Sequence, residues 1–498
     1  MFRRVLVANR GEIAVRVIRA CRELGIASVA VYSEADRSAL PARLADIAVL
    51  LGPAAPAESY LSVDAVIDAA RRTKADAVHP GYGFLSENAG FAARCERAGL
   101  VFIGPPADVI GRMGSKLASR RLMAAAGVPV VPGVEPRDQT PAALERAARG
   151  LGLPLLVKAS AGGGGRGMRV VTDFDELPAA IDSARREASS GFGDGTLYFE
   201  RLLPRARHVE VQILADAGGH IVHLFERDCS VQRRHQKVIE ESPSPALSPS
   251  TRQRLLEAAS AAARAAGYRN AGTVEFLVDS GADGQQAFYF LEMNTRLQVE
   301  HPVTEEVTGL DLVRAQITVA AGQPLAWRQD QITTRGHAIE CRVYAEAPHD
   351  GFLPRAGRVL HYREPRGPGI RVDSGIAEGS EVPPNYDALL AKVIASGETR
   401  DIARARLTAA LRSYVILGVE TNVAFLLRVL EHASFQSGRI DTAFVDTNVS
   451  ELVGPPDPGI TRVAAAALAA AGHKPAQAGG ASAGGAVDPW TILGPWRA

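Results

Sequence analysis

The apolar run Arg4-Val5-Leu6-Val7-Ala8 passes through Asn9-Arg10-Gly11-Glu12 into a segment, Ile13 to about Leu24, with Ile13, Val17 and Cys21 on one helical face and Ile18 close by. A buried strand that feeds an amphipathic helix opens an α/β sheet. Gly25 stops that helix, and Ser28 to Tyr32 supplies the next strand. Ala77-Val78 and Val101-Phe102-Ile103 add further strands, so residues 1–114 read as a doubly wound α/β domain. Ligands bind such sheets in loops at the carboxyl ends of strands. Asn9-Arg10-Gly11 and His79-Pro80-Gly81-Tyr82-Gly83 occupy that place.

A chain of 498 residues exceeds one core, and the pattern changes along it. Residues 115–335 begin with a helix, Lys116 to Ala126, and carry a small α+β segment at about 131–203. Val209 to Leu214 reads as a strand beyond that segment. A third, α+β region spans 336–446, with Ala338 to Tyr344 as a strand. Residues 447–498 are rich in Pro, Gly and Ala and read as linker. Lys plus Arg number 56 and Asp plus Glu 55, which gives no global attraction to nucleic acid or anionic membrane. The four cysteines lie far apart, no apolar run approaches the ~20 residues of a membrane span, and the apolar run Val5 to Ala8 is too short for the one expected of a signal peptide. A cytoplasmic enzyme is expected.

The strongest local signal is Lys158-Ala159-Ser160-Ala161-Gly162-Gly163-Gly164-Gly165-Arg166-Gly167-Met168, set between two strand-like runs. Glycines let the backbone approach a polyphosphate and aim N–H groups at it. A bare glycine run is as often a flexible hairpin tip, but Lys158 and Arg166 flank this one. The run is not GxxxxGK(S/T), which excludes a P-loop, and it leads into a strand-like run instead of opening a helix as the dinucleotide-binding GxGxxG does. Glu200-Arg201-Leu202-Leu203 follows a third strand and can meet an adenine edge, although alone it is an ordinary strand end.

Two further strands, Thr273 to Val278 and Phe288 to Asn294, suggest a hairpin that buries Glu275 and Glu292 among large apolar residues. Facing carboxylates repel and raise a pKa unless a cation lies between them. Hard oxygen ligands beside phosphate suit Mg²⁺ or Mn²⁺. Glu292, Asn294, Arg296, Gln298 and Glu300 stand at successive alternate positions, so an extended chain points all five to one face. The row offers metal ligands, an anion-binding Arg and a carboxylate base. A solvated edge strand alternates too, but does not explain the abrupt end at Glu300-His301-Pro302. Asp228 to Lys237 forms a local basic cluster suited to a small anion.

Val7 to Ala14, His79 to Asn88, the glycine loop, Glu226 to Ser230, Gln232 to Lys237 and Glu292 to Pro302 together resemble biotin carboxylase, from about residue 1 to 446. The resemblance implies an ATP-grasp middle domain with 131–203 as a lid. It implies that Lys116, Lys158, the backbone of Gly163, Gly164 and Gly165, Met168, His208, Gln232 and His235 bind ATP, with Glu200 and Leu203 at adenine. Glu275, Glu292 and Asn294 would hold two Mg²⁺ or Mn²⁺ ions. Lys237, Arg296, Gln298, Val299 and Glu300 would take bicarbonate, with Glu300 as general base. Arg342 and Tyr82 would meet biotin. Arg201 stands where the family often has Lys. A homodimer, a biotin carboxyl carrier and a carboxyltransferase partner are implied. The tail, ending Asp488-Pro489-Trp490 to Trp496-Arg497-Ala498, resembles the region that follows the carboxylase in acyl-CoA carboxylase α chains, without the Ala-Met-Lys-Met acceptor motif. Alternatives are a pyruvate or urea carboxylase part, another ATP-grasp ligase, or a silent nucleotide-binding scaffold.

Overall fold

The computed structural model describes residues 1–160, 168–279 and 286–454. Gly163, Gly164 and Gly165, and the tail beyond 454, lie outside the described residues. Five parallel strands open the chain: β1 (Arg4–Val7), β2 (Ala27–Ser33), β3 (Ile47–Gly52), β4 (Ala77–His79) and β5 (Val101–Phe102). Their spatial order is β3-β2-β1-β4-β5. Helix α1 (Gly11–Glu23) buries Ile13, Val17, Ile18 and Cys21, as the spacing predicts. Strand β3 escapes a sequence reading because it is an edge strand, half buried along its length.

The strand order reverses at β1, which opens a crevice at its carboxyl end. There Asn9 Nδ2 donates to the carbonyls of Pro80 and Tyr82, each at 2.7 Å. Gly81 has φ +62°, and a Cβ on it would stand 2.9 Å from that Nδ2. Only glycine permits this approach.

Residues 131–203 carry a four-stranded sheet, β6 (Gly133–Val134), β7 (Leu155–Ala159), β8 (Met168–Val171) and β9 (Leu197–Arg201), ordered β6-β9-β7-β8. Helices Pro141–Leu151 and Leu177–Phe192 pack on it, and Leu144, Leu155, Val157, Ile181 and Phe199 form its own core. Strands β7 and β8 pair antiparallel, which places the glycine run between them in the chain.

The largest sheet has eight strands. It contains β10 (Arg207–Ala215), β11 (Ile221–Arg233), β12 (Gln236–Ser242), β13 (Asn270–Asp279), β14 (Ala287–Asn294) and β15 (His337–Tyr344). Their order is β14-β13-β10-β11-β12-β15, followed by Leu389–Gly397 and Ile370–Ser374. The region after 336 therefore adds three strands to the sheet of the preceding region, through the β12–β15 ladder. Among the described residues, no helix is long and apolar enough to cross a membrane.

Candidate active site

One transverse line across the large sheet collects its ionisable side chains. Glu292 lies opposite Glu275, Glu275 opposite Glu210, and Glu210 opposite Arg227. Farther along, Glu240 faces Glu340, and Arg342 faces Lys392. Residues directly opposite on paired strands put their side chains on the same face. Strand register thus brings together residues that are far apart in sequence.

Lys237 is the hub. Its Nζ donates to Glu275 Oε1 and Glu300 Oε1, both at 2.7 Å, and also to Glu210 Oε2. Arg227, fully buried, fixes the other oxygen of Glu210 at 2.6 Å. On the far side of Glu300, Arg342 reaches Oε2 at 3.0 Å while its Nε donates to Glu240 at 2.6 Å. Burial alone raises the Glu300 carboxyl, but Lys237, Arg342 and Arg227 outweigh it and hold the group well below the usual range. On Glu240 burial acts in the same direction but prevails over Arg342, pushing the carboxyl up to about 7.

Asn294 Nδ2 and Gln298 Nε2 donate to Glu275 Oε1 at 2.8 and 3.1 Å. Arg296 bridges Gln298 Oε1 at 2.6 Å and Asn294 Oδ1 at 3.0 Å, and its Nε is held by Glu87 of the N-terminal region at 2.9 Å. His208 lies 2.8 Å from Glu275 Oε2 and 3.0 Å from the Gln232 amide. Burial favours the neutral form of Glu275, but Lys237 and His208 keep it ionised.

Two expectations change in detail. The row from 292 to 300 is not one strand. β14 ends at Asn294, residues 295–299 are irregular, and helix His301–Thr308 starts with Glu300 at its N-cap. Pro302, inside the first turn, explains the abrupt end. Even so, Asn294 and Gln298 meet Glu275, Glu300 meets Lys237, and Arg296 joins them through Asn294 and Gln298. Glu292 is exposed, not buried. Its strand is the sheet edge, so one flank is open. Desolvation in the cleft, then the charge of Glu275, still raise its carboxyl. The charges of Lys116 and Lys237 pull the other way without reversing the rise, and Glu275, Glu292 and Asn294 fit a divalent ion.

The basic cluster at 228–237 splits across a hairpin. Gln232 and Lys237 enter the site, Arg233 pairs with Glu346 and lies over Phe352, and Arg234 and His235 are exposed at the turn. Lys158 and Glu200 form a buried ion pair at 2.7 Å, which with Tyr198 lifts the ammonium to about 12 despite burial. Arg120 holds the other oxygen of Glu200 at 2.9 Å. Lys116 opens the helix Lys116–Ala125, whose N-cap is Ser115. Burial, then Lys158, lower its pKa. Met168 and Leu203 are half buried at the ends of β8 and β9. Tyr82 donates its hydroxyl to Glu12 on α1.

Three family models match the chain in succession: biotin carboxylase, N-terminal domain, at 1–110; carbamoyl-phosphate synthase L chain, ATP binding domain, at 115–328; and biotin carboxylase C-terminal domain at 340–447. The chain is 50% identical over 447 residues to biotin carboxylase 1 of Bacillus subtilis, covering 90% of this chain and 99% of that protein. The chain belongs to the biotin carboxylase family. Among biotin carboxylase relatives, a pyruvate carboxylase subunit of Methanothermobacter thermautotrophicus is 51% identical over 446 residues, 90% of each chain. The biotin carboxylase domain of the Hydrogenobacter thermophilus 2-oxoglutarate carboxylase was solved as a dimer with MgADP, ADP and bicarbonate. It superposes with a TM-score of 0.86 at 44% identity, covering 91% of this chain and 99% of that one.

Glu210, Arg227, Glu240, Glu340 and Lys392 of this biotin carboxylase escape the sequence reading, yet all are fully buried in the row. A signal existed for Glu210. His208, Glu210 and Gln212 alternate through an apolar strand with the parity seen at 292–300. For Glu240 and Glu340 only cross-strand register reveals the pairing.

Proposed function

We propose that this site carboxylates biotin with bicarbonate and ATP, as the first half-reaction of an acyl-CoA carboxylase of the acetyl-, propionyl- or methylcrotonyl-CoA type. The observation that carries the reading is the convergence of Lys237, Arg296, Gln298 and Arg342 around Glu300 and Glu275. It joins an ionised base, an anion grip and a phosphate-seeking cation in one cleft.

ATP binds with Lys116, Lys158, the glycine loop, Met168, His208, Gln232 and His235 on its phosphates and ribose, and with Glu200 and Leu203 at adenine. Lys158 then exchanges Glu200 for phosphate. Glu275, Glu292 and Asn294 would hold two Mg²⁺ or Mn²⁺ ions, which would supply positive charge to the phosphate oxygens. Arg296, Gln298 and the Val299 N–H grip bicarbonate. A carboxylate held as low as Glu300 is a weak base. Turning Lys237 from Glu300 to the γ-phosphate frees one oxygen and raises its basicity when the bicarbonate proton must leave. The bicarbonate oxygen attacks the γ-phosphorus, giving carboxyphosphate and ADP. The lid at 131–203 excludes water from this labile anhydride. Breakdown yields CO₂ and phosphate, and phosphate takes the proton from biotin N1. Arg342 stabilises the ureido oxyanion, with Tyr82 alongside, and N1 attacks CO₂.

The partners are a biotin carboxyl carrier and a carboxyltransferase, and the enzyme works as a homodimer. Four free, buried cysteines suit a reducing cytoplasm. ATP hydrolysis dependent on bicarbonate and stimulated by free biotin tests the reading. Stimulation by ammonia with no response to biotin overturns it. Assay of the native complex with acyl-CoAs against pyruvate decides the acceptor.

A further inference from the structure

The backbone on either side of Val299 is held from outside its own loop. His301 Nδ1 stands 2.7 Å from the carbonyl oxygen of Gln298. A carbonyl only accepts, so Nδ1 carries the hydrogen. His301 is wholly buried, and burial with the nearby cations Lys392, Arg16 and Arg371 keeps the ring neutral. Lys392, also wholly buried, reaches over from the strand Leu389–Gly397 and donates Nζ to the carbonyl of Val299 at 2.7 Å. Its ion pair with Glu12 is longer, at 3.3 Å.

A trans peptide points its N–H opposite its C=O. Turning the Gln298 carbonyl to His301 therefore fixes where the Val299 N–H points. Turning the Val299 carbonyl to Lys392 does the same for the peptide that leads into Glu300. We infer that His301 and Lys392 are positioning residues for the bicarbonate grip. Neither touches substrate. Together they lock both peptide planes around Val299, so the donor N–H and the base are presented in fixed orientation. The inference deepens the function proposed above and rests on it.

The test is steady-state kinetics of the full chain with bicarbonate and ATP varied in turn. His301→Leu and Lys392→Met each raise the KM for bicarbonate about tenfold or more, while the KM for ATP stays within about twofold. His301→Asn, whose amide nitrogen can stand where Nδ1 does, stays within about threefold of the parent. Lys392→Met strands the Glu12 carboxylate, so Glu12→Gln/Lys392→Met provides a second variant with both charges removed. It shows the same bicarbonate-selective rise. Equal movement of both KM values, no movement, or an Asn variant as impaired as the Leu variant overturns the inference. A parent enzyme whose ATP hydrolysis ignores bicarbonate sinks the function reading instead. A bicarbonate-dependent parent with unaltered variants sinks only the positioning role.

Discussion

Glu300 and Glu340 lie on the same polar face and have opposite electrostatics. Glu300 has cations on both oxygens and stays ionised. Glu300→Gln keeps the shape and removes the base, so bicarbonate-dependent ATP hydrolysis should fall by ~10²-fold or more, with ATP affinity retained. Unchanged turnover refutes the assignment. Lys158→Ala removes the proposed charge-assisted contact to phosphate, and the ATP Kd should rise about tenfold. An unchanged Kd removes that role. Glu340 is fully buried, and neither of its oxygens has a hydrogen-bond partner. Burial pushes its pKa well above the ordinary carboxylate value, against the pull of Lys392. Below the unfolded pKa the group is protonated in both states and contributes nothing. Above it the unfolded chain ionises first, so the folded state is penalised as pH rises toward the folded pKa. Glu340→Gln should therefore stabilise the fold by ~1 kcal/mol or more at pH 8 and leave it unchanged at pH 4, read by thermal melting. Equal stability at pH 8 shows that folding does not raise the Glu340 carboxyl. Alternation made Asn294, Arg296, Gln298 and Glu300 legible in the sequence. Glu340 was not, because a lone Glu beside Cys341 and Arg342 carries no sign of what stands across the ladder.

At the level of elements, the hairpin β13–β14 sets the pair proposed to bind metal. Its register puts Glu275 against Glu292, with an irregularity just before Phe276. Phe276 is fully buried and meets Phe288 edge-on at 5.6 Å. Phe276→Ala should cost ~3–5 kcal/mol, measured by denaturant unfolding. A loss below ~1 kcal/mol would show that the hairpin tolerates a cavity at this position. Strands β1, β2, β4 and β5 and helix α1 were readable because their apolar runs are continuous or strongly periodic. β3 was not, since an edge strand loses that contrast. The break after Asn294 was equally hidden. Parity shows which residues share a face only while the chain remains extended, and the turn into helix His301–Thr308 depends on local capping.

For the whole molecule, residues 1–454 form one compact unit, and the family match ends at 447. A chain cut after Gly454 should fold and keep its biotin-stimulated ATP hydrolysis within about twofold, since no proposed site residue lies beyond it. Loss of activity on truncation would assign the tail a part in the chemistry. The middle and last regions share the β12–β15 ladder, which places Glu240 and Arg342 on adjacent strands. The ladder leaves no hinge between the proposed place of carboxyl activation and the proposed place of its transfer. The span between donor and acceptor is settled at folding. An effector of the proposed reaction would therefore act on the four-stranded appendage or on the arrival of a carrier, because the ladder gives the proposed path of CO₂ a fixed length.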